Sequence, residues 1–186
     1  MVIWDEVSEY WEQGKKEAKR DIFHMGHVFD PTPVTVVFSR QKAVHYAHTY
    51  YSQRNMDYPY FEGHDCTNFV SQCWTYAGIP VTEDWFCDGN IVTHSWSWVA
   101  DFADYMVNRG YARISYNSLE ANLGDVVQFY HRDLGGWHHS VIITKKDEEG
   151  NLSYTSHSNE FVDKELSKIY PASGDQLRFL CPYNAY

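Results

Sequence analysis

A cysteine stands at the start of a predicted helix in residues 64–74, HDCTNFVSQCW. Asp65 precedes Cys66, and apolar residues then recur at helical spacing until Gly78. Backbone N–H groups at the first turn of a helix carry partial positive charge, which favours a thiolate and can stabilise an oxyanion. Cys66 is therefore a candidate nucleophile. Cys73, in the middle of the same helix, is predicted to be a core residue, which is the commoner role of a buried thiol.

A thiolate that attacks an amide needs a histidine to accept its proton and later protonate the leaving amine. Such an exchange contributes about 10²- to 10⁴-fold to the rate. Of the ten histidines, His138 and His139 begin HHSVIIT, an alternating segment that predicts a strand. Alternation places His139 on the face of Val141 and His138 on the face of Ser140. Both faces are partly apolar, so alternation does not decide which histidine faces the cysteine.

A third polar group has to orient the base histidine and fix its tautomer. The next predicted strand, in NLSYTSHS, supplies His157, and Asn159 follows two residues later on the same face. A hairpin between residues 139–144 and 152–158 would lay either side chain beside the base histidine. Each histidine taken alone would also suit a hydrogen-bonded polar residue at the end of a strand.

The elements that carry these residues are helices first and antiparallel strands afterwards. Helices are predicted over residues 3–20, over RQKAVHYAHTYYSQRN after an N-cap at Ser39, over the Cys66 segment, and from Ser95 or Ser97 to Gly110. The period then changes to alternation in GDVVQFY, HHSVIIT, NLSYTSHS and QLRFLC, with a turn at KDEEGN. This order predicts an α+β fold.

Composition argues against some classes of partner and bears on the compartment in which the protein works. The chain has 186 residues, a formal charge of −10 and no basic run, which argues against a nucleic-acid partner. No stretch approaches the ~20 apolar residues of a membrane helix, so no membrane partner is expected. The acidic start MVIWDEVSEYWEQGKK argues against a signal peptide, although a chain whose signal had been removed would look the same. The compartment therefore stays open. We expect a secreted or wall-associated protein if a signal peptide was removed, and a cytoplasmic protein otherwise.

The DCTNFVSQ segment resembles the signature of a family described as a putative amidase domain, within the papain-like cysteine peptidase clan. It is also similar to related bacterial cell-wall peptidases that carry D-C-S-G-F-V. The segments RQKAVHYAHTYYSQRNMDYPYFEGH, SWSWV, GDVVQFY, HHSVIIT and YTSHSNEFVDKELSKIY resemble the family's other segments, over roughly residues 38–170. We therefore expect residues 36–186 to form the amidase domain and residues 1–35 an N-terminal extension of unknown role.

The resemblance implies a papain-like cysteine hydrolase fold, with N-terminal helices packed on a C-terminal antiparallel sheet. It implies Cys66 as nucleophile, and His139 as base because the family's histidine directly precedes a serine. His157 is the implied third member, with Asn159 as the alternative found in papain-type relatives. The implied reaction is hydrolysis of a peptide or isopeptide bond through a thioester, without a cofactor. The implied substrate is bacterial wall peptide, such as the peptidoglycan stem peptide.

Two features around this triad bear on the cleft. The loop from Glu83 to Asp88, with Trp85 and Phe86, is predicted to form one wall of the cleft, and a tyrosine of YPYF is a candidate oxyanion donor. The segment HRDLGGWHH, between the predicted strands, departs from the family pattern and is a candidate for altering substrate choice.

Three alternatives compete with an amidase. The pairs His24/His27 and His45/His48 have a spacing that suits a metal on a helix, although neither pair has an evident third ligand. A peptide- or wall-binding module would keep the fold but lose the thiol or the base, and both are present here. An acyltransferase would use the same thiol and imidazole to pass the acyl group to an amine instead of to water.

Overall fold

The computed structural model describes residues 35–89, 91–169 and 176–186. The predicted helix over residues 3–20 and the pair His24/His27 lie outside these ranges. The described residues form an α+β fold, as predicted, with helices first and a six-stranded antiparallel sheet afterwards. The helices are α1 (Arg40–Tyr50), α2 (Cys66–Ala77), α3 (His94–Ser97) and α4 (Val99–Asn108). None of the described helices is both long and apolar enough to cross a membrane.

The strands include all four that alternation predicted. A small hairpin, β1 (Cys87–Asp88) with β2 (Ile91–Val92), precedes the main sheet. The main sheet has the order β3-β8-β4-β5-β6-β7, and all its neighbours are antiparallel. Its strands are β3 (Ala112–Ser115), β4 (Val126–His131), β5 (Gly136–Lys146), β6 (Leu152–Ser156), β7 (Phe161–Glu165) and β8 (Gln176–Pro182). The small hairpin was not predicted, and neither were the two edge strands of the main sheet, β3 and β7.

The two faces of the sheet bury different apolar clusters. Val126, Ile142 and Leu180 pack against the helices, whereas Val127 and Val141 belong to a second cluster on the opposite face. Helix α2 lies over the helix-facing side, and its side chains Phe69, Cys73 and Trp74 are fully buried there. The start of α2 therefore lies over the central strands of the sheet, where Thr67 meets Ser140 of β5.

Cys73 is a core residue, as predicted, and burial raises the pKa of its thiol well above the usual value. All four cysteines are free thiols. The predicted cleft wall is wrong for Trp85, because its side chain is fully buried and packs against Trp96 and Tyr105. Its indole is thus part of the core and out of reach of a substrate.

Helix α2 ends at Gly78, as predicted, in a turn that an L-residue adopts only with strain. Gly78 has φ = 124°, its N–H donates to the carbonyl of Thr75, and the N–H of Ile79 donates to Trp74. These bonds satisfy carbonyls that the helix leaves open. A Cβ at this position would lie 2.5 Å from the carbonyl oxygen of Val37.

Replacing Gly78 with alanine is expected to lower the free energy of unfolding by about 2–4 kcal/mol, because backbone strain adds to a contact that only a backbone shift can relieve. Urea denaturation measures the change. Gly150→Ala is the matched control, since Gly150 also has positive φ (87°) but a Cβ there would meet no described atom within 4 Å. It should cost about 1 kcal/mol. Equal losses in the two variants would contradict the predicted steric contribution.

Candidate functional site

A row of polar side chains crosses the helix-facing side of the sheet beneath the start of α2. Arg178 on β8 lies opposite Gln128 on β4, which lies opposite Ser140 on β5. The Nε of Arg178 donates to Oε1 of Gln128 at 2.8 Å, and the Gln128 amide donates to Oγ of Ser140 at 3.2 Å. All three side chains are buried. Their hydrogen bonds let the sheet hold polar groups in its interior at a low cost.

His157 follows the end of β6 on the same side of the sheet. Its Nδ1 lies 2.6 Å from the carboxylate of Asp65, the residue that precedes Cys66. Both side chains are almost inaccessible, at 8% exposed for His157 and 1% for Asp65. The imidazole packs against Phe69 (ring centroids 5.1 Å apart) and edge-on against Tyr60 (5.6 Å). These contacts fix the plane of the ring.

The Asp65 carboxylate is held by further donors. It accepts hydrogen bonds from the backbone N–H of Phe61 (2.9 Å) and from the side-chain amide of Asn68 (2.8 Å). The Asn68 amide in turn accepts from the indole N–H of Trp96 at 2.7 Å. Asp65 is the N-terminal flanking residue of α2, yet it makes no side-chain capping bond. Its carboxylate therefore pairs with His157 and does not cap the helix. This pair was not predicted from the sequence.

The thiol of Cys66 lies at the first residue of α2. Its side chain, with a residue exposure of 6%, packs with Val99 of α4 and Trp137 of β5. Its Sγ lies 3.7 Å from Oγ1 of Thr67, and that hydroxyl lies 3.2 Å from Oγ of Ser140. Helix α2 thus presents Asp65, Cys66 and Thr67 to the polar row of the sheet.

Strand β5 contains a bulge next to this contact. Phe129 pairs with His139 but Tyr130 pairs with Trp137, so His138 is an extra residue in the strand. Alternation holds for Ser140, which meets the helix, and for Val141, which joins the opposite cluster. The bulge places Trp137 in the apolar cluster of Cys66 and Val99, a position that alternation alone does not give.

The ring of His139 packs against Phe129, with centroids 5.6 Å apart. Burial, and secondarily the charge of His138, lower the pKa of His139 to about 3. The imidazole is therefore neutral at pH 7. The structure thus brings His157 to the start of α2 and places His139 beside Phe129, while the role of His139 as base stays a prediction. Asn159, the alternative third member, is exposed in the turn that follows β6.

The predicted pair His45/His48 makes other contacts. His48 Nε2 lies 2.8 Å from the carboxylate of Asp163, which also accepts a hydrogen bond from Thr144. The ring of His45 is tilted against that of Tyr76, with centroids 6.4 Å apart. In the described ranges, no three histidine, cysteine or acidic side chains are grouped so that they would hold a metal ion.

Comparisons with known proteins identify a family and two relatives. A family model described as "Putative amidase domain" matches residues 38–180, which include every element of the site. Two proteins of Bacillus subtilis (strain 168), each named only as uncharacterized, are similar to the chain. YjcM is 28% identical over 139 residues, covering 69% of this chain and 33% of YjcM. YhbB is 29% identical over 124 residues, covering 62% of this chain and 39% of YhbB.

The chain thus spans about a third of the length of YjcM and about two fifths of the length of YhbB. No solved structure matches. Since the family model covers most of the sequence, the chain belongs to the putative amidase domain family.

Proposed function

We propose that the protein is a cysteine-dependent hydrolase that cleaves a peptide or isopeptide bond through a thioester. The observation that carries this proposal is the hydrogen bond between Asp65 and His157, which holds an imidazole next to the residue before Cys66. An acid, an imidazole and a thiol at the start of a helix are the parts of an activated nucleophile. The family supports an amide as the bond that is cleaved.

The Asp65 carboxylate would select the tautomer of His157. A carboxylate accepts a bond from Nδ1–H, so Nε2 carries the lone pair and can accept a proton from the thiol. The thiolate then attacks the carbonyl carbon, and the N–H groups at the start of α2 stabilise the oxyanion. The protonated imidazole gives its proton to the nitrogen as the carbon–nitrogen bond breaks. Water then attacks the thioester and releases the acid and the free thiol.

Two histidines compete for the proton-transfer role. The resemblance implies His139 as the base and His157 as the third member. Packing supports the reverse assignment, with His157 as the base. His157 lies on the side of the sheet that faces the helices, whereas His139 packs against Phe129, which belongs to the cluster on the opposite face. We therefore propose His157 as the imidazole that exchanges a proton with Cys66, and His139 as the competing base.

The proposed substrate class is bacterial wall peptide. Its support is the D-C-x-x-F-V pattern that this chain has in common with cell-wall peptidases, here with Thr67 and Asn68 at the two variable positions. Both of these residues face the protein interior, where Thr67 meets Ser140 and Asn68 holds Asp65. They support the catalytic pair and leave the choice of peptide to other parts of the cleft.

Incubation with purified stem peptides and cross-linked wall fragments tests the proposal. We expect products that have gained water, and a transient acyl adduct that maps to Cys66 by mass spectrometry of acid-quenched samples. Transfer of the acyl group to an added amine, with no gain of water, would instead identify an acyltransferase. Binding of the peptide without an adduct or cleavage would identify a binding module and end the hydrolase proposal.

A further inference from the structure

We infer that Arg178 is a positioning residue whose buried guanidinium stabilises the thiolate of Cys66. This inference rests on the proposed function, since it takes Cys66 to react as a thiolate. It concerns a residue that the sequence motifs do not include and that lies three strands away from His157 in the sheet order. Arg178 and His157 therefore flank the start of α2 from opposite sides.

The first link between Arg178 and the thiol is an aromatic ring. The guanidinium carbon of Arg178 lies 4.1 Å from the ring centroid of Trp137, which is the geometry of a cation–π contact. Trp137 also belongs to the small buried cluster that contains Cys66 and Val99. The guanidinium thus adjoins the cluster that holds the thiol, and Arg178 is only 7% exposed.

The second link is a chain of hydrogen bonds. Arg178 donates through Nε to Gln128, and the Gln128 amide donates both to the carbonyl of Val99 (2.7 Å) and to Ser140. Ser140 meets Thr67, whose hydroxyl lies beside the sulfur of Cys66. Val99 itself packs on Cys66. The guanidinium is therefore held in a fixed position relative to the thiol.

A guanidinium in this place has a predictable electrostatic effect. It is charged at every pH at which the protein is folded. We take a separation of about 8 Å, which one aromatic ring between the charges would give, and at a dielectric constant of about 20 this lowers the pKa of a thiol by about 1.5.

Other ionisable side chains lie on the elements that pack around the start of α2. They come from the loop before α2, α2 itself, α3, α4, β4 and the turn after it, β5, and the end of β6: Tyr60, His64, Asp65, His94, Asp101, Tyr130, His131, Arg132, His138, His139 and His157. Arg132 is exposed, so water screens its charge. Asp65 and His157 are paired with each other. Arg178 combines a permanent charge with burial, so we expect its removal to raise the pKa of the Cys66 thiol.

Alkylation by iodoacetamide as a function of pH tests the inference without knowledge of the substrate. Iodoacetamide is uncharged, so Arg178 does not alter its approach electrostatically. Peptide mapping restricts the measurement to Cys66, and the pH midpoint of the rate reports the ionisation of its thiol. We expect Arg178→Gln to raise this midpoint by about 1.5 pH units and Arg178→Lys, which keeps the charge, to leave it within a few tenths of wild type.

Arg113→Gln is the matched control. Arg113 lies on the neighbouring strand β3, is 43% exposed and pairs with Glu120, so its loss should leave the midpoint unchanged. Thermal unfolding of each variant shows whether it is folded. If Arg178→Gln does not fold, Arg178→Lys decides, because it loses the planar fork and the bond to Gln128 but keeps the charge.

The outcomes separate this inference from the proposed function. A midpoint in the wild type like that of an ordinary thiol would overturn both. A lowered midpoint in the wild type that Arg178→Gln leaves in place would overturn the role of Arg178 alone. A rise of about 1.5 pH units in a folded Arg178→Lys variant would also overturn it, because the planar fork of the guanidinium and not its charge would then be responsible.

Discussion

Replacing Cys66 with alanine is expected to lower kcat/KM for the amide substrate by about 10⁴-fold or more, because no other group of the site can form the thioester. The fold should survive, since the change removes one sulfur atom from a helix end and leaves Asp65, His157 and Thr67 in place. Steady-state kinetics measures the loss, and thermal unfolding checks the fold.

Cys87→Ala is the matched control for this variant. Cys87 is a partly exposed free thiol on β1, and burial raises its pKa to about 11. It therefore remains a thiol at neutral pH and should tolerate replacement without loss of rate. Turnover of the substrate by Cys66→Ala at the rate of the wild type would end the cysteine-hydrolase proposal.

Much of the fold is predictable from the sequence because its central elements have strong patterns. Helix α2 has an apolar stripe and a glycine stop, and β4, β5, β6 and β8 alternate or are uniformly apolar. The edge strand β7 could not be predicted in the same way, because most of its side chains face solvent on both faces of the sheet. Helix α1 ends at Tyr50, earlier than the pattern predicted, because the next residues turn to place Asn55 against Tyr46.

The site was predictable in part, and the missing part depends on register. The sequence indicates Cys66 at a helix start and His157 at the end of a strand, but the acid before a helix looks like an ordinary N-cap. Only the packing of α2 on the sheet turns the Asp65 carboxylate toward His157. Likewise, Arg178 interrupts an apolar strand and looks like an outward-facing residue until its register places it opposite Gln128.

The bulge in β5 is the third feature that the sequence does not reveal. HHSVIIT alternates regularly, and nothing in the letters shows that His138 is an extra residue. The bulge decides which side chains of this strand face the helices, and it places Trp137 in the apolar cluster of Cys66 and Val99. The choice between His139 and His157 as the base is therefore a question of local backbone geometry.

Replacing His157 with glutamine is expected to lower kcat by about 10²- to 10⁴-fold, since glutamine can hydrogen-bond Asp65 but cannot exchange a proton with the thiol. His139→Gln is the matched comparison. If His157 exchanges the proton, His139→Gln should change kcat by less than about tenfold, because its imidazole packs against Phe129 and is neutral at pH 7.

The dependence of kcat/KM on pH distinguishes lost proton transfer from a general disturbance of the site. In His157→Gln the limb of the profile that reports the imidazole should disappear, whereas in His139→Gln both limbs should remain. The reverse ranking of the two variants would assign proton transfer to His139, as the resemblance implies. Asp65 and His157 would then form a buried pair that fixes the start of α2 against the sheet.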